Sequence, residues 1–99
     1  VSRYQDYIRG ARKRGVSFGL SLDQFKYYWR KPCFYCGYEI HTIGLDRINN
    51  GLGYVPSNLV SCCKWCNVAK SYLPQEAYLN LCANVFLKHG HKMVGSVER

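Results

Sequence analysis

A small α+β fold held by a four-thiolate metal clamp is what this chain predicts, on three observations. Two Cys-x-x-Cys pairs, Cys33-Phe-Tyr-Cys36 and Cys63-Lys-Trp-Cys66, flank a stretch of hairpin character, Gly44 to Asn58. Helical apolar spacing lies on both sides of it, at Tyr4, Tyr7, Ile8 and Ala11 and again at Tyr78, Leu81, Cys82 and Val85. With 99 residues the chain buries a limited core, so an additional staple is expected.

The elements follow in order. A first helix runs from Tyr4 to about Arg14, with Arg9, Arg12 and Lys13 mostly off its apolar stripe and Gly15 as its stop. Ser21-Leu-Asp-Gln24 reads as a capping box opening a helix from Leu22 to about Arg30, with Phe25, Tyr28 and Trp29 inward and Pro32 at its end. Cys33 to Cys36 forms a knuckle closed by Gly37. Ile43 to Ile48 and Leu59 to Cys62 read as paired strands, with Asn49-Asn50-Gly51 and Gly53 supplying turn residues that tolerate positive φ. A short helix covers Cys63 to Lys70, and a final one starts near Pro74 and stops before Gly90. The tail from His89 onward reads as loosely ordered. The expected organisation is one domain, 1–99: a basic helical lead-in (1–32), a clamped core (33–72) and a C-terminal helix with tail (73–99).

Six cysteines in a short secreted chain would suggest disulfides. Two Cys-x-x-Cys pairs instead suit chelation, and four thiolates close a tetrahedral zinc site. A redox dithiol leaves the second pair unexplained, and no βαβ pattern surrounds either. Spacing alone also admits a four-thiolate iron centre. Cys62 competes with Cys63, since Cys62 and Cys66 stand at i, i+4. The assignment taken is Cys33, Cys36, Cys63 and Cys66, with Cys62 as a small buried strand residue and Cys82 as core.

Fourteen Lys and Arg face six carboxylates, a net charge of +8 that favours a polyanionic partner. Arg9, Arg12, Lys13, Arg14, Arg47, Lys64 and Lys70 are the candidate nucleic-acid contacts. Six carboxylates do not easily supply the clustered ligands of a two-metal site. No stretch is apolar enough for a membrane span, and no signal-peptide pattern opens the chain. The expectation is an intracellular, reducing compartment with no membrane partner, the source (bacterial, phage or organellar) being left open. Beginning at Val1 without Met, the chain has the form of a fragment or processed product.

Four motifs in this order resemble the zinc-braced branch of the HNH endonucleases, the ββα-metal nucleases: Cys-x-x-Cys-Gly, Gly-Leu-Asp-Arg-Ile-Asn-Asn, Gly-Tyr-Val-Pro-Ser-Asn-Leu-Val and Cys-x-x-Cys-Asn-x-x-Lys. The lead-in Arg12 to Phe25 is similar to that of phage and bacterial members, and the resemblance covers about Tyr4 to Leu73. It implies a ββα-metal hairpin-helix core with flanking N- and C-terminal helices. It further implies Asp46 and Asn67 as ligands of one catalytic divalent metal, Mg²⁺ or Mn²⁺, and Asn58 as the tie of the hairpin loop. Hard oxygen donors suit such a cation, while zinc keeps to the thiolates.

The departure from the family pattern is Arg47, where many members carry a histidine as general base. A guanidinium stays protonated and can only clamp phosphate and stabilise charge. The base then falls to His41, to Tyr35 or to a water activated by the metal alone, and the residues leave the three open. Two functions follow: a metal-dependent endonuclease hydrolysing phosphodiester bonds in DNA, or a catalytically inactive HNH-fold nucleic-acid-binding module within a larger nucleoprotein assembly. RNA stays open as the substrate.

Overall fold

A computed structural model of the chain describes residues 2–90. Of the tail expected to be loosely ordered from His89 onward, His89 is helical, and the part beyond Gly90 lies outside the described residues. Helix α1 (Ser2–Lys13) buries Ala11 and ends where Gly15 takes φ +68°. Its last turn carries Arg12 and Lys13, the charge sign that a helix C-terminus favours. Helix α2 (Leu22–Tyr27) opens on the capping box: Gln24 N donates to Ser21 Oγ at 3.2 Å, and Ser21 N donates to Gln24 Oε1 at 2.9 Å.

Helix α2 stops short of Arg30, because that residue adopts φ 58° and donates its N–H to Thr42 O at 2.6 Å. The turn swings Trp29 out to 46% exposure, against the expectation of a core position. Phe25 and Tyr28 do point inward. They pack with Ala11, Leu20, Ile43, Leu45, Tyr54 and Leu59. Tyr4 and Tyr7 of α1 meet Phe25 edge-on, ring centroids 5.2 and 5.5 Å apart.

The antiparallel hairpin pairs β1 (Leu45–Arg47) with β2 (Leu59–Ser61) in the register Leu45↔Ser61, Asp46↔Val60, Arg47↔Leu59. The strands are shorter than expected, but their hydrogen bonding extends beyond them through Cys62 N to Gly44 O (3.0 Å) and Ile48 N to Asn58 O (2.8 Å). Gly44 permits that approach, since a Cβ there would stand 2.0 Å from Cys62 O. The turn residues do not use positive φ, contrary to expectation. Asn49 closes the loop with its side chain instead, Oδ1 accepting from Gly51 N at 2.8 Å, and Gly53 is needed because a Cβ would meet Ser17 O at 2.5 Å.

Cys63 caps helix α3 (Lys64–Lys70), and Pro74 precedes helix α4 (Gln75–His89). Of the expected α4 stripe only Tyr78 is buried, whereas Leu81, Cys82 and Val85 are exposed. The helix leans on the cysteine cluster through Tyr78, and no other described element covers its later turns. Periodicity was present without a surface to pack on. Among the described residues no helix is long and apolar enough to cross a membrane.

The buried phenols make the fold sensitive to alkali. Burial, first among the causes, pushes Tyr7 and Tyr28 above their ordinary 10.0. A raised phenol stabilises the fold fully below the unfolded value and loses that contribution as pH rises toward the folded one. The thermal midpoint is therefore expected to hold up to about pH 10 and to fall above it. A midpoint unchanged through that range would show that these phenols do not couple to folding.

Candidate active site

The Sγ atoms of Cys33, Cys36, Cys63 and Cys66 lie within 4.8 Å of one another, and Cys36 and Cys63 stand 3.6 Å apart. A tetrahedral zinc with bonds of about 2.3 Å requires thiolates about 3.8 Å apart, so the cage fits that ion. Burial opposes ionisation of Cys33, but hydrogen bonds from the backbone at Cys36, Cys63 and Tyr35 outweigh it and bring the thiol to about 7. Cys62 lies outside the set. Its Sγ donates to Cys63 O at 3.4 Å, and burial pushes its thiol up to about 12, the behaviour of a neutral packing residue.

The cage joins the hairpin to α3: Phe34 N donates to Ser61 O at 2.8 Å, and Cys63 serves as the helix N-cap. Asp46, in the middle of β1, is thereby held against α3 and the first knuckle at 8% exposure. Tyr35 OH donates to its Oδ2 at 2.6 Å, and Lys70 Nζ to its Oδ1 at 3.3 Å. Gln75 Nε2 donates to Tyr35 OH at 3.4 Å from α4. Burial, and then the hydrogen bond to Asp46, hold the Tyr35 phenol well above its ordinary range.

Asp46 and Asn67 open onto one cleft of about 590 Å³, which Arg3, Arg14 and Arg47 also line. Arg14 is steadied by Tyr54, its Nη2 donating to the phenol oxygen at 2.7 Å. Arg47 staples the hairpin loop, with Nη1 donating to Asn50 O (2.9 Å) and Leu52 O (3.0 Å) and its guanidinium carbon 5.5 Å from the Tyr54 ring centre. Asn58 ties the same loop: its Oδ1 accepts from Asn49 N at 2.8 Å, and its Nδ2 donates to Asn49 O and Gly53 O at 3.0 Å each.

His41 stands apart, exposed on a neighbouring cavity of about 310 Å³ that also touches Asn67. Arg9, Arg12 and Lys13 sit on the outer face of α1, with Arg9 paired to Asp6, and Lys64 lies 5.9 Å from the Trp65 ring centre on the exposed side of α3. Lys70 departs from its expected place on a nucleic-acid surface. Only 1% exposed, it is spent on the ion pair with Asp46. Its neighbour Asn67 lies three positions earlier, so one helical face carries both, a relation available from spacing alone. Arg3 was also missed, although Arg3, Tyr7 and Gly10 at i, i+4 and i+7 form the α1 stripe that faces the cleft, with Arg14 in the turn just beyond it.

No family model matches the chain. Among solved structures, the rare-cutting HNH restriction endonuclease PacI superposes with a TM-score of 0.65, covering 92% of this chain and 80% of that one at 23% identity. The chain has the HNH endonuclease fold. In this chain a hairpin and a helix come together beside a four-cysteine cage. The uncharacterized protein R423 of Acanthamoeba polyphaga mimivirus is 38% identical over 89 residues, which make up 87% of the HNH-fold chain and 17% of that protein. The chain thus spans less than a fifth of that relative's length.

Proposed function

We propose that the chain is a metal-dependent endonuclease that hydrolyses phosphodiester bonds in DNA, with Asp46 and Asn67 holding one divalent metal. One observation carries this: a strand carboxylate and a helix amide open onto the same cleft, rimmed by three arginines. The donors are hard oxygens of the kind Mg²⁺ and Mn²⁺ take. Each Asp46 oxygen accepts one internal hydrogen bond, and a carboxylate has about four lone-pair sites, so donor capacity remains for a cation. When bound, such an ion supplies Lewis-acid charge for the phosphate and its attacking water.

The chain's own residues do the rest. Tyr35 and Lys70 fix the two Asp46 oxygens in direction, while Arg3 and Arg14 draw the phosphate backbone into the cleft. Arg47 holds the loop beside them and adds positive charge where the transition state gains negative charge. Water oxygen attacks phosphorus as its proton passes to a base or to solvent, the bond to the 3′ oxygen breaks, and that oxygen takes a proton from solvent. Tyr35 already donates its hydroxyl to Asp46 Oδ2 and acts as a positioning group, so the base role passes to His41 or is filled by no side chain.

The closed network around Asp46 and the committed Arg47 guanidinium favour one competing reading, an inactive binding module. Supercoiled plasmid with Mg²⁺ or Mn²⁺ decides between them. Nicking by the wild-type chain is expected, and its loss in Asp46→Ala and in Asn67→Ala, with DNA binding kept. Binding is expected to weaken with salt at a log–log slope of about −0.9 per phosphate neutralised. A folded wild-type chain that binds DNA and never nicks it selects the module.

A further inference from the structure

A second concavity, of about 490 Å³, opens between α1 and α2. Tyr4, Leu22, Phe25 and Trp29 make it apolar, and Arg3 and Lys26 supply its charge. No carboxylate lines it. The exposed indole of Trp29 is a large π face left in solvent beside cations, an arrangement that suits stacking of nucleobases with phosphate held alongside. Lys31 repeats the pairing nearby, its Nζ lying 4.2 Å from the Tyr27 ring centre.

Arg3 lines both this cavity and the Asp46 cleft. A phosphate held by Arg3 therefore lies between the two. Charge also selects the occupant. A second copy of a chain with net charge +8 is repelled from a cationic rim, whereas a polyanion is drawn to it.

We propose that this cavity takes an unpaired nucleobase, stacked on Trp29 with its phosphates against Arg3 and Lys26, from a strand whose backbone crosses the Asp46 cleft. It rests on the reading of that cleft as a nucleic-acid site and narrows the substrate to one that is single-stranded or locally opened. The base leaves the duplex at a cost that stacking on the indole offsets.

The chain has two tryptophans, so Trp65→Phe leaves Trp29 as the sole indole reporter. Titrated with an oligothymidylate without divalent metal, Trp29 emission is expected to quench saturably. An oligomer of the same length carrying abasic sites is expected to bind at least about fivefold more weakly. Trp29→Ala is expected to bring the two oligomers to equal affinity, and Trp29→Phe to restore most of the difference. Lys26→Ala is expected to flatten the salt slope by about 0.7.

Unchanged Trp29 emission at saturation overturns the proposal, as does base discrimination that survives Trp29→Ala. Emission that changes with protein concentration in the absence of DNA assigns the cavity to a second copy and overturns it too. The cleft reading fails separately: quenching without any plasmid nicking removes the nuclease and keeps this site, while nicking without quenching does the reverse.

Discussion

With the four-cysteine cage read as a zinc site, stripping the metal is expected to unfold the chain. Structural zinc contributes an apparent ~10–16 kcal/mol to such sites, and a domain of this size has about 5–15 kcal/mol in total. The cage also carries more than its own knuckles. Cys63 caps α3, Phe34 N reaches Ser61 O at 2.8 Å, and Tyr78 anchors α4 beside Cys66. A strong chelator is therefore expected to remove most helical circular dichroism, and Cys33→Ser to prevent native folding. Cys62→Ser is the discriminating control. It is expected to keep one zinc per chain where Cys63→Ser does not, because Cys62 lies outside the cage with its thiol pushed up to about 12. A chain freed of metal that keeps its native spectrum would sink the idea.

What was legible in the sequence is what short-range chemistry determines. The capping box at Ser21 and Gln24, the stop at Gly15 and the pairing of Cys33 and Cys36 each depend on residues a few positions apart, and each stands where expected. Two of the misses, Trp29 and the later turns of α4, need a distant partner. Trp29 leaves the core because Arg30 N finds Thr42 O, twelve residues on. Apolar spacing marks a helix in α4, but which turns are covered depends on the neighbouring elements, and beyond Tyr78 the described ones cover none.

The candidate site divides in the same way. Asp46, Asn58 and Asn67 were singled out through motif order, and two of them share a cleft while the third ties the adjoining loop. Lys70 was misplaced because a lysine in a basic chain reads as surface. Only the packing of α3 on β1 shows that it is the largest fully buried side chain among the described residues and faces a carboxylate. A buried charge is recognised by its counter-charge, and that counter-charge lies 24 positions away.

Lys70 accordingly carries the second large expected effect. Lys70→Ala or Lys70→Met, in zinc-loaded protein without other divalent ions, is expected to cost about 3–5 kcal/mol, because Asp46 is left as an uncompensated buried charge. Urea unfolding with an unchanged m-value measures it. The double variant Asp46→Asn with Lys70→Met is expected to lose well under the sum of its single changes, since both charges are gone together. If Asp46 also binds a divalent cation, Mn²⁺ is expected to stabilise Lys70→Met more than wild type, through mass action on the exposed demand for positive charge. A cost under about 1 kcal/mol, as for a surface pair, or an additive cycle, would mean that the 3.3 Å contact does not couple the two residues. The coupling matters for the chemistry because Tyr35 and Lys70 bind opposite oxygens of Asp46. Together they hold the carboxylate in one orientation, so on the proposed nuclease reading loosening Lys70 is expected to lower nicking even where folding is rescued.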